Sequence, residues 1–156
     1  MNDIHGCPVT DSRGQEVIHP TREQYLDVAK SLADEGYTVA VDLCGVDYLL
    51  YMNRPLPEGI VPERFEVVVQ LLDIGDRKRT RLRVQVPESD PVVASLFDLH
   101  PGTEAPERET FDMFGISFDG HPDLTRILMP EDWEGHPLRK DYDIGSIPVQ
   151  FKEAHA

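Results

Sequence analysis

The sequence predicts an α+β fold: a two-layer sandwich of a mainly antiparallel or mixed sheet with helices on one face, followed by a long irregular C-terminal strap. Three observations predict it. Residues 64–86 alternate apolar and polar around a Gly-Asp turn, which is hairpin patterning. Thr21 to Glu35 repeats apolar residues at helical spacing between a capping residue and a glycine. After Gly115 neither period survives, although the segment still carries Phe118, Ile127, Leu128, Met129, Trp133, Tyr142 and Phe151. Antiparallel strands with helices to one side form two layers around one core. The α+β domain is placed at 1–115, and 116–156 is read as an extended docking segment, not a domain of its own.

The elements follow in order. Residues 1–19 are mixed in pattern and read as a lead-in with one strand. Thr21 caps a helix that runs to Glu35, with Gln24 three residues on as in a capping box and Gly36 to end it; Tyr25, Ala29, Leu32 and Ala33 share its apolar face. Tyr37 to Leu43 reads as a strand with Val39 and Val41 on one face, and Val46 to Met52 continues the sheet after an interruption at Cys44-Gly45. Asn53 to Pro62 holds three prolines and a glycine and is a loop. In Arg64 to Asp73, Phe65, Val67, Val69 and Leu71 face one way. Gly75-Asp76 turns the chain, and Arg79 to Val86 answers with Leu82, Val84 and Val86. Ser89-Asp90-Pro91 has the look of a cap with proline at the first helical position, opening a short helix to Leu99. Pro106 to Phe114 forms a second short helix, stopped by Gly115.

Composition narrows the function. The 156 residues fit one domain with a core of its own. Fifteen basic against twenty-nine acidic residues leave a formal charge of −14, which repels phosphate backbones and anionic lipid. Nucleic-acid binding and direct membrane adsorption are therefore not expected. Cys7 and Cys44 form no Cys-x-x-Cys or Cys/His cluster, so a disulfide scaffold, a zinc ribbon and a four-thiolate iron–sulfur cluster are not expected either. No apolar run approaches the ~20 residues that span a bilayer, and the first residues lack a basic stretch followed by an apolar one, so a reducing cytoplasm is the expected compartment. Phosphate-binding glycine loops and the Gly-x-Ser-x-Gly elbow are absent from the sequence.

Several charged groups have both a chemical and a plain structural reading. Glu107 and Glu109 are paired carboxylates of the kind used in acid–base catalysis. They also suit the first turn of a helix, with Arg108 and Asp112 as an i,i+4 pair, and that second reading is preferred. His121 and His136, each before a proline, are candidate metal ligands with Asp123, Asp132 or Asp141, but a spacing of fifteen positions across an irregular segment matches no common site. Arg79, Arg81 and Arg83 line one face of the second hairpin strand, either as a solvated face or as a contact for acidic groups of a neighbouring protein.

The run Glu107-Arg-Glu-Thr-Phe-Asp-Met-Phe-Gly-Ile116, then Gly120-His-Pro-Asp-Leu124, Arg126-Ile-Leu-Met-Pro130 and Asp132-Trp-Glu-Gly-His-Pro-Leu-Arg-Lys-Asp-Tyr142, strongly resembles one family. It is similar to the C subunit, the 30-kDa-subunit family, of respiratory complex I, the proton-pumping NADH:quinone oxidoreductase. Asp42 to Asp47, Arg64 to Val67 and Pro87 to Val93 extend the likeness upstream, so it covers most of the chain from Pro20 onward. Two departures are Ala105, where the family often has tryptophan, and Thr125, where it often has a basic residue.

The resemblance implies a non-catalytic component of the peripheral arm, on the cytoplasmic side of the membrane and attached to it only through the complex. It implies no redox cofactor in this chain, the Fe–S clusters and FMN lying in partner subunits, and activity only within the assembled NADH:quinone oxidoreductase. The D subunit of complex I is the first expected partner, with the B, G and I subunits as further ones. The implied structural and interface residues are Glu107, Arg108, Glu109, Asp112, Phe114 and Gly115 in the helix, His121, Pro122 and Arg126 after it, and Trp133, Gly135, His136, Pro137, Arg139, Lys140, Asp141 and Tyr142 in the strap. The nearer alternative is the equivalent subunit of a related membrane-bound hydrogenase or ferredoxin-linked complex. The distant one is a free-standing enzyme built on Glu107, Glu109 and a histidine.

Overall fold

The computed structural model describes residues 3–143 and 145. Its main sheet has six strands: β1 (Asp3–Ile4), β2 (Cys7–Ser12), β3 (Gln15–Ile18), β4 (Val39–Asp47), β5 (Phe65–Asp73) and β6 (Lys78–Val86), in spatial order β1-β2-β3-β6-β5-β4. All neighbours are antiparallel except β3 and β6. Helix α1 (Arg22–Asp34) and helix α2 (Glu104–Phe114) pack on one face. A small parallel sheet joins β7 (Val92–Ala94) to β8 (Ser117–Asp119). The mixed α+β architecture is the expected one.

The hairpin forms as its alternation dictates. Phe65, Val67, Val69 and Leu71 from β5 and Leu82, Val84 and Val86 from β6 are all at 0% exposure. Tyr25, Val28, Ala29 and Leu32 of α1 join the same core. The capping box at Thr21 is present, with the Gln24 amide donating to the Thr21 hydroxyl and the Thr21 amide donating to the Gln24 side chain. Val28 rather than Ala33 completes the buried stripe.

Four expectations need correction. The lead-in holds three strands, not one, because Arg13-Gly14, both at positive φ, turn β2 back into β3, and β3 then finds β6 from a distance of more than sixty residues. Cys44-Gly45 does not interrupt β4, which runs through to Asp47; residues 48–52 are turn. Val39 and Val41 do not share a buried face, since a bulge between Ala40 and Asp42 leaves Val41 as the extra residue, exposed at 45%. The segment from Pro91 to Leu99 is not a helix. Val92 and Val93, both β-branched, pair with Ser117 and Phe118 instead, and the pairing outweighs a weak local signal.

On β4, Leu43, Gly45 and Asp47 point to the core side. A Cβ on Gly45 would lie 2.8 Å from both Thr110 and Phe114, so glycine is what lets α2 settle directly on the strand. The opposite face of the sheet is polar but not bare. Arg54 in the β4–β5 loop stacks 3.7 Å above the Tyr48 ring and covers Glu66, which also takes Arg83 Nε at 2.6 Å. Arg83 is therefore bound within the chain, and Arg81 donates to Gln70, while Arg79 stays exposed.

Candidate functional site

A helix leaves its last carbonyls without partners inside the helix. In α2 they receive them from the chain that follows. Gly115, left-handed at φ +74°, donates its amide to Phe111 O. His136 Nδ1 donates to Asp112 O at 2.9 Å, the Leu138 amide to Met113 O at 3.1 Å, and Arg139 Nε to Phe114 O at 2.6 Å. A Cβ at Gly115 would sit 2.6 Å from His136 Nε2 and 2.7 Å from Arg139 Nη2. Glycine is thus needed there twice over, for its φ and for the space above it. Pro137 lies between two of these donors, and its missing N–H leaves the capping to the residues around it.

Asp112 holds the other side of the segment. Its buried carboxylate accepts the amides of Ile127, Leu128 and Met129 at 3.0, 2.8 and 2.9 Å through Oδ2, and Arg126 Nη1 at 2.6 Å through Oδ1. Burial pushes this carboxyl up, but the Met129 amide, Arg126 and the Leu128 and Ile127 amides outweigh it and hold it below the ordinary aspartate range. Arg126 continues to Gly135 O at 2.8 Å, so one guanidinium fastens two distant points of the strap. Cationic and donor groups gathered at the C-terminal end of α2 also complement its dipole.

Arg108 does not pair with Asp112. It reaches back one turn to Glu104 at 3.1 Å and forward to Thr125 and Arg126 O. Glu107 is not a solvated first-turn acid. It is fully buried and accepts Ser95 Oγ at 2.5 Å and the Leu96 amide at 2.8 Å, fixing the chain after β7; burial pushes its carboxyl up despite those bonds. Glu109 is exposed, so the two carboxylates share no site. His121 anchors at Glu104 O, at the opening of α2, while His136 anchors at its close. The helix separates the two rings, which therefore do not converge on one ligand. Pro122 is exposed in the turn after Gly120.

A third anchor lies at the end of β4. Arg64, 5% exposed, donates to Asp47 at 2.9 Å, to Glu88 at 2.5 Å and to Asp141 of the strap at 2.6 Å. Asp47 also accepts the Lys140 amide at 2.8 Å. Burial raises the Asp47 carboxyl, and Arg64 with the Lys140 and Leu49 amides brings it below its usual range; Arg64 lowers Asp141 in the same way. Arg64 and Arg139 both lie over the Phe65 ring, at 4.8 and 5.0 Å. Sequence reasoning did not single out Asp47, Arg64 or Glu88 as site residues. The signal was there: period-two placement puts Asp47 on the buried face of β4, and a buried carboxylate demands a cation.

The strap therefore rests on α2 and the end of β4. Beyond Lys140, Trp133 Nε1 donates to Tyr142 OH at 3.1 Å, and Gly135, at φ +82°, leaves room for the Tyr142 ring, which a Cβ would meet at 2.9 Å. Phe114 and Gly115 meet the strap at the helix end, and the side chain of Lys140 is exposed. Apart from the exposed Glu109, the carboxylates so far described are consumed as acceptors for the chain's own backbone amides, hydroxyls and arginines. This is the chemistry of a brace.

Residues 18–147 match the family described as Respiratory-chain NADH dehydrogenase, 30 Kd subunit. The chain belongs to this family. It is 50% identical over 145 residues to an NADH-quinone oxidoreductase C subunit of Roseiflexus castenholzii, covering 91% of this chain and 78% of that protein. It is 44% identical over 149 residues to a protein of the same name from Saccharopolyspora erythraea, spanning 94% of this chain and 56% of the relative, about half its length. Among solved structures it resembles a trypsin-resistant fragment of Nqo5, with a TM-score of 0.67 and 38% identity over 76% of this chain and 90% of the fragment. A chain of an archaeal membrane-bound sulfane sulfur reductase shares the fold alone, with a TM-score of 0.73 at 18% identity over 95% of this chain and 88% of that one. The matched family segment spans α2 and its caps, so the brace lies inside the part that defines the family.

Proposed function

We propose that the chain is the C subunit of an NADH-quinone oxidoreductase, a structural member of the peripheral arm that acts only within the assembled enzyme. The observation that carries this reading is the family match over residues 18–147, joined to 50% identity with a relative that bears that name. The geometry supports it, because the chemistry-bearing residues expected from sequence hold the strap on the domain instead of lining a reaction site. In this reading the FMN and iron–sulfur carriers belong to neighbouring proteins of the complex. The D subunit is the first neighbour, with the B, G and I subunits as further ones, and the chain sits at the cytoplasmic side of the membrane, attached to it only through the complex. Among the described residues no helix is long and apolar enough to cross it.

The contact surface of this reading is the exposed side of the strap with the turn beside it. Lys140 lies next to Asp47, Leu138 of the same strap is 49% exposed, and the turn after Asp47 exposes Leu50 at 80% and Tyr51 at 60%. Apolar side chains rimmed by charge are the ordinary composition of a protein–protein interface. A tagged chain expressed in its native host tests the reading: the D subunit and NADH-quinone reductase activity copurify from detergent-solubilised membranes. Recovery of the chain alone, or with hydrogenase-type partners and no NADH activity, would overturn it. The likeness to a chain of the sulfane sulfur reductase, at 18% identity, is one of fold alone and does not favour the hydrogenase-like alternative.

A further inference from the structure

The strap forms a cleft that none of its internal bonds explains. Trp133 and Tyr142 wall it, joined by the indole-to-phenol hydrogen bond at 3.1 Å, and Gly135 lets the Tyr142 ring lie close against the backbone. The opening is about 710 Å³, room for a long side chain and a short stretch of its backbone. Asp141 is already held by Arg64, and Asp143 accepts the Gly145 amide. Asp132 and Glu134 stand exposed on the same rim, and no ion pair reaches either of them among the described residues. Two aromatic side chains and two carboxylates without an ion pair among the described residues line one cleft, and together they are the groups a planar cation uses: rings to lie on and carboxylate oxygens to donate to.

We infer that this cleft receives the guanidinium of an arginine carried on an extended segment of a neighbouring protein chain. Charge complementarity selects the occupant. The chain carries −14 formal charges and the cleft's rim carries Asp132 and Glu134, so an acidic segment is repelled whereas a basic one is drawn in. Arginine fits better than lysine because its flat group stacks on the rings while donating in two directions; an ammonium is compact and more strongly hydrated. The inference rests on the reading of the chain as one member of a complex, and it assigns to that reading one place of contact and its chemistry.

The chain holds a single tryptophan, so a ¹⁵N-labelled sample gives one indole cross-peak, and it reports on this cleft. The full chain at low salt is titrated with acetyl-Gly-Arg-Gly-amide and, separately, with the same peptide carrying citrulline, which has the shape without the charge. A saturable shift with the arginine peptide, at least tenfold weaker with citrulline and lost in the Asp132→Asn, Glu134→Gln double variant, supports the inference. Both substitutions are at exposed positions, and an unchanged indole position in the free variant shows that the strap is intact. Equal shifts with the two peptides, binding that survives the double variant, or no shift at all would overturn it. The outcome is separable from the family role proposed above: a silent cleft in a chain that still copurifies with the D subunit removes only this inference.

Discussion

In the β5–β6 hairpin, seven apolar side chains at 0% exposure face α1 across a continuous core, and each strand residue repeats what its neighbours two places away already do. In the segment from His121 to Tyr142, order comes from a handful of polar atoms: one carboxylate at Asp112, one guanidinium at Arg64 and three donors over the carbonyls at the end of α2. The first region is held by area, which is additive and forgiving. The second is held by geometry, where losing one atom strands several partners. A sheet of this kind tolerates drift in its apolar residues, whereas the strap depends on identities.

Asp112→Ala should have the largest effect and show this contrast most directly. It leaves three amides and Arg126 without their acceptor, and breaking a buried charged pair of this kind costs about 3–5 kcal/mol. The expected result is a fall in the urea midpoint, accompanied at neutral pH by rapid tryptic cleavage at Arg126, Arg139 and Lys140 while the sheet stays folded. Leu82→Ala removes a side chain at 0% exposure and costs about 2–5 kcal/mol. It lowers the whole domain without exposing the strap first. If both variants lose strap and sheet together in hydrogen exchange, the two regions are one cooperative unit and the contrast fails.

Gly115→Ala comes next. A left-handed conformation costs an L-residue about 1–2 kcal/mol, and here the new methyl also displaces His136 and Arg139. Loss of the strap caps should therefore accompany a modest drop in thermal midpoint. The readout is the Trp133 emission maximum, moving to the red before the far-UV circular dichroism changes.

Acid separates the regions again. Asp112, Asp47 and Asp141 have folded pKa values below those of the unfolded chain, so their stabilisation is fully present above about pH 4 and is lost as pH falls through the folded values. His19, packed at the end of β3 with its ring on the Thr10 hydroxyl at 2.9 Å, is lowered to about 4, mainly by burial. A histidine lowered in the fold binds its proton better when unfolded. Stability falls accordingly as pH drops from about 6.5 to about 4. His136 shifts in the same direction, by burial, and adds to the strap's loss over the upper range. His19→Gln should flatten the circular dichroism stability slope between pH 6.5 and 4 and leave the later acid transition of Trp133 emission in place. A joint shift of both signals would show that the strap does not titrate on its own.

What sequence revealed follows the same division. α1 and the β5–β6 hairpin were readable because their signals are local: a cap, a glycine and a period. β3 was not, since its partner β6 lies far along the chain and its pairing is parallel. Pro91 after Asp90 carries the same letters as a helix start, and only the distant β8 makes Val92–Ala94 a strand. Among the site residues, the i,i+4 rule paired Arg108 with Asp112, but a charge in a loop fourteen residues away was the real partner. The strap residues were recognisable as a family pattern before their bonds were known. That pattern records which atoms are needed, and the helix end they cap says why.

Tyr142→Phe is the smallest expected effect and the finest division of the strap. It deletes the acceptor of the Trp133 indole at a partly exposed place, and such a bond is worth about 0.5–1.5 kcal/mol. The three anchors at Asp112, Arg64 and the end of α2 lie outside that pair and should hold, so trypsin resistance at Arg126 should not change. The Trp133 indole should lose hydrogen-exchange protection while the Ile127, Leu128 and Met129 amides keep theirs. Simultaneous loss of protection at both places would make the aromatic pair part of the brace. Separate behaviour leaves it as a distinct outer element, anchored through its neighbours and available to a partner.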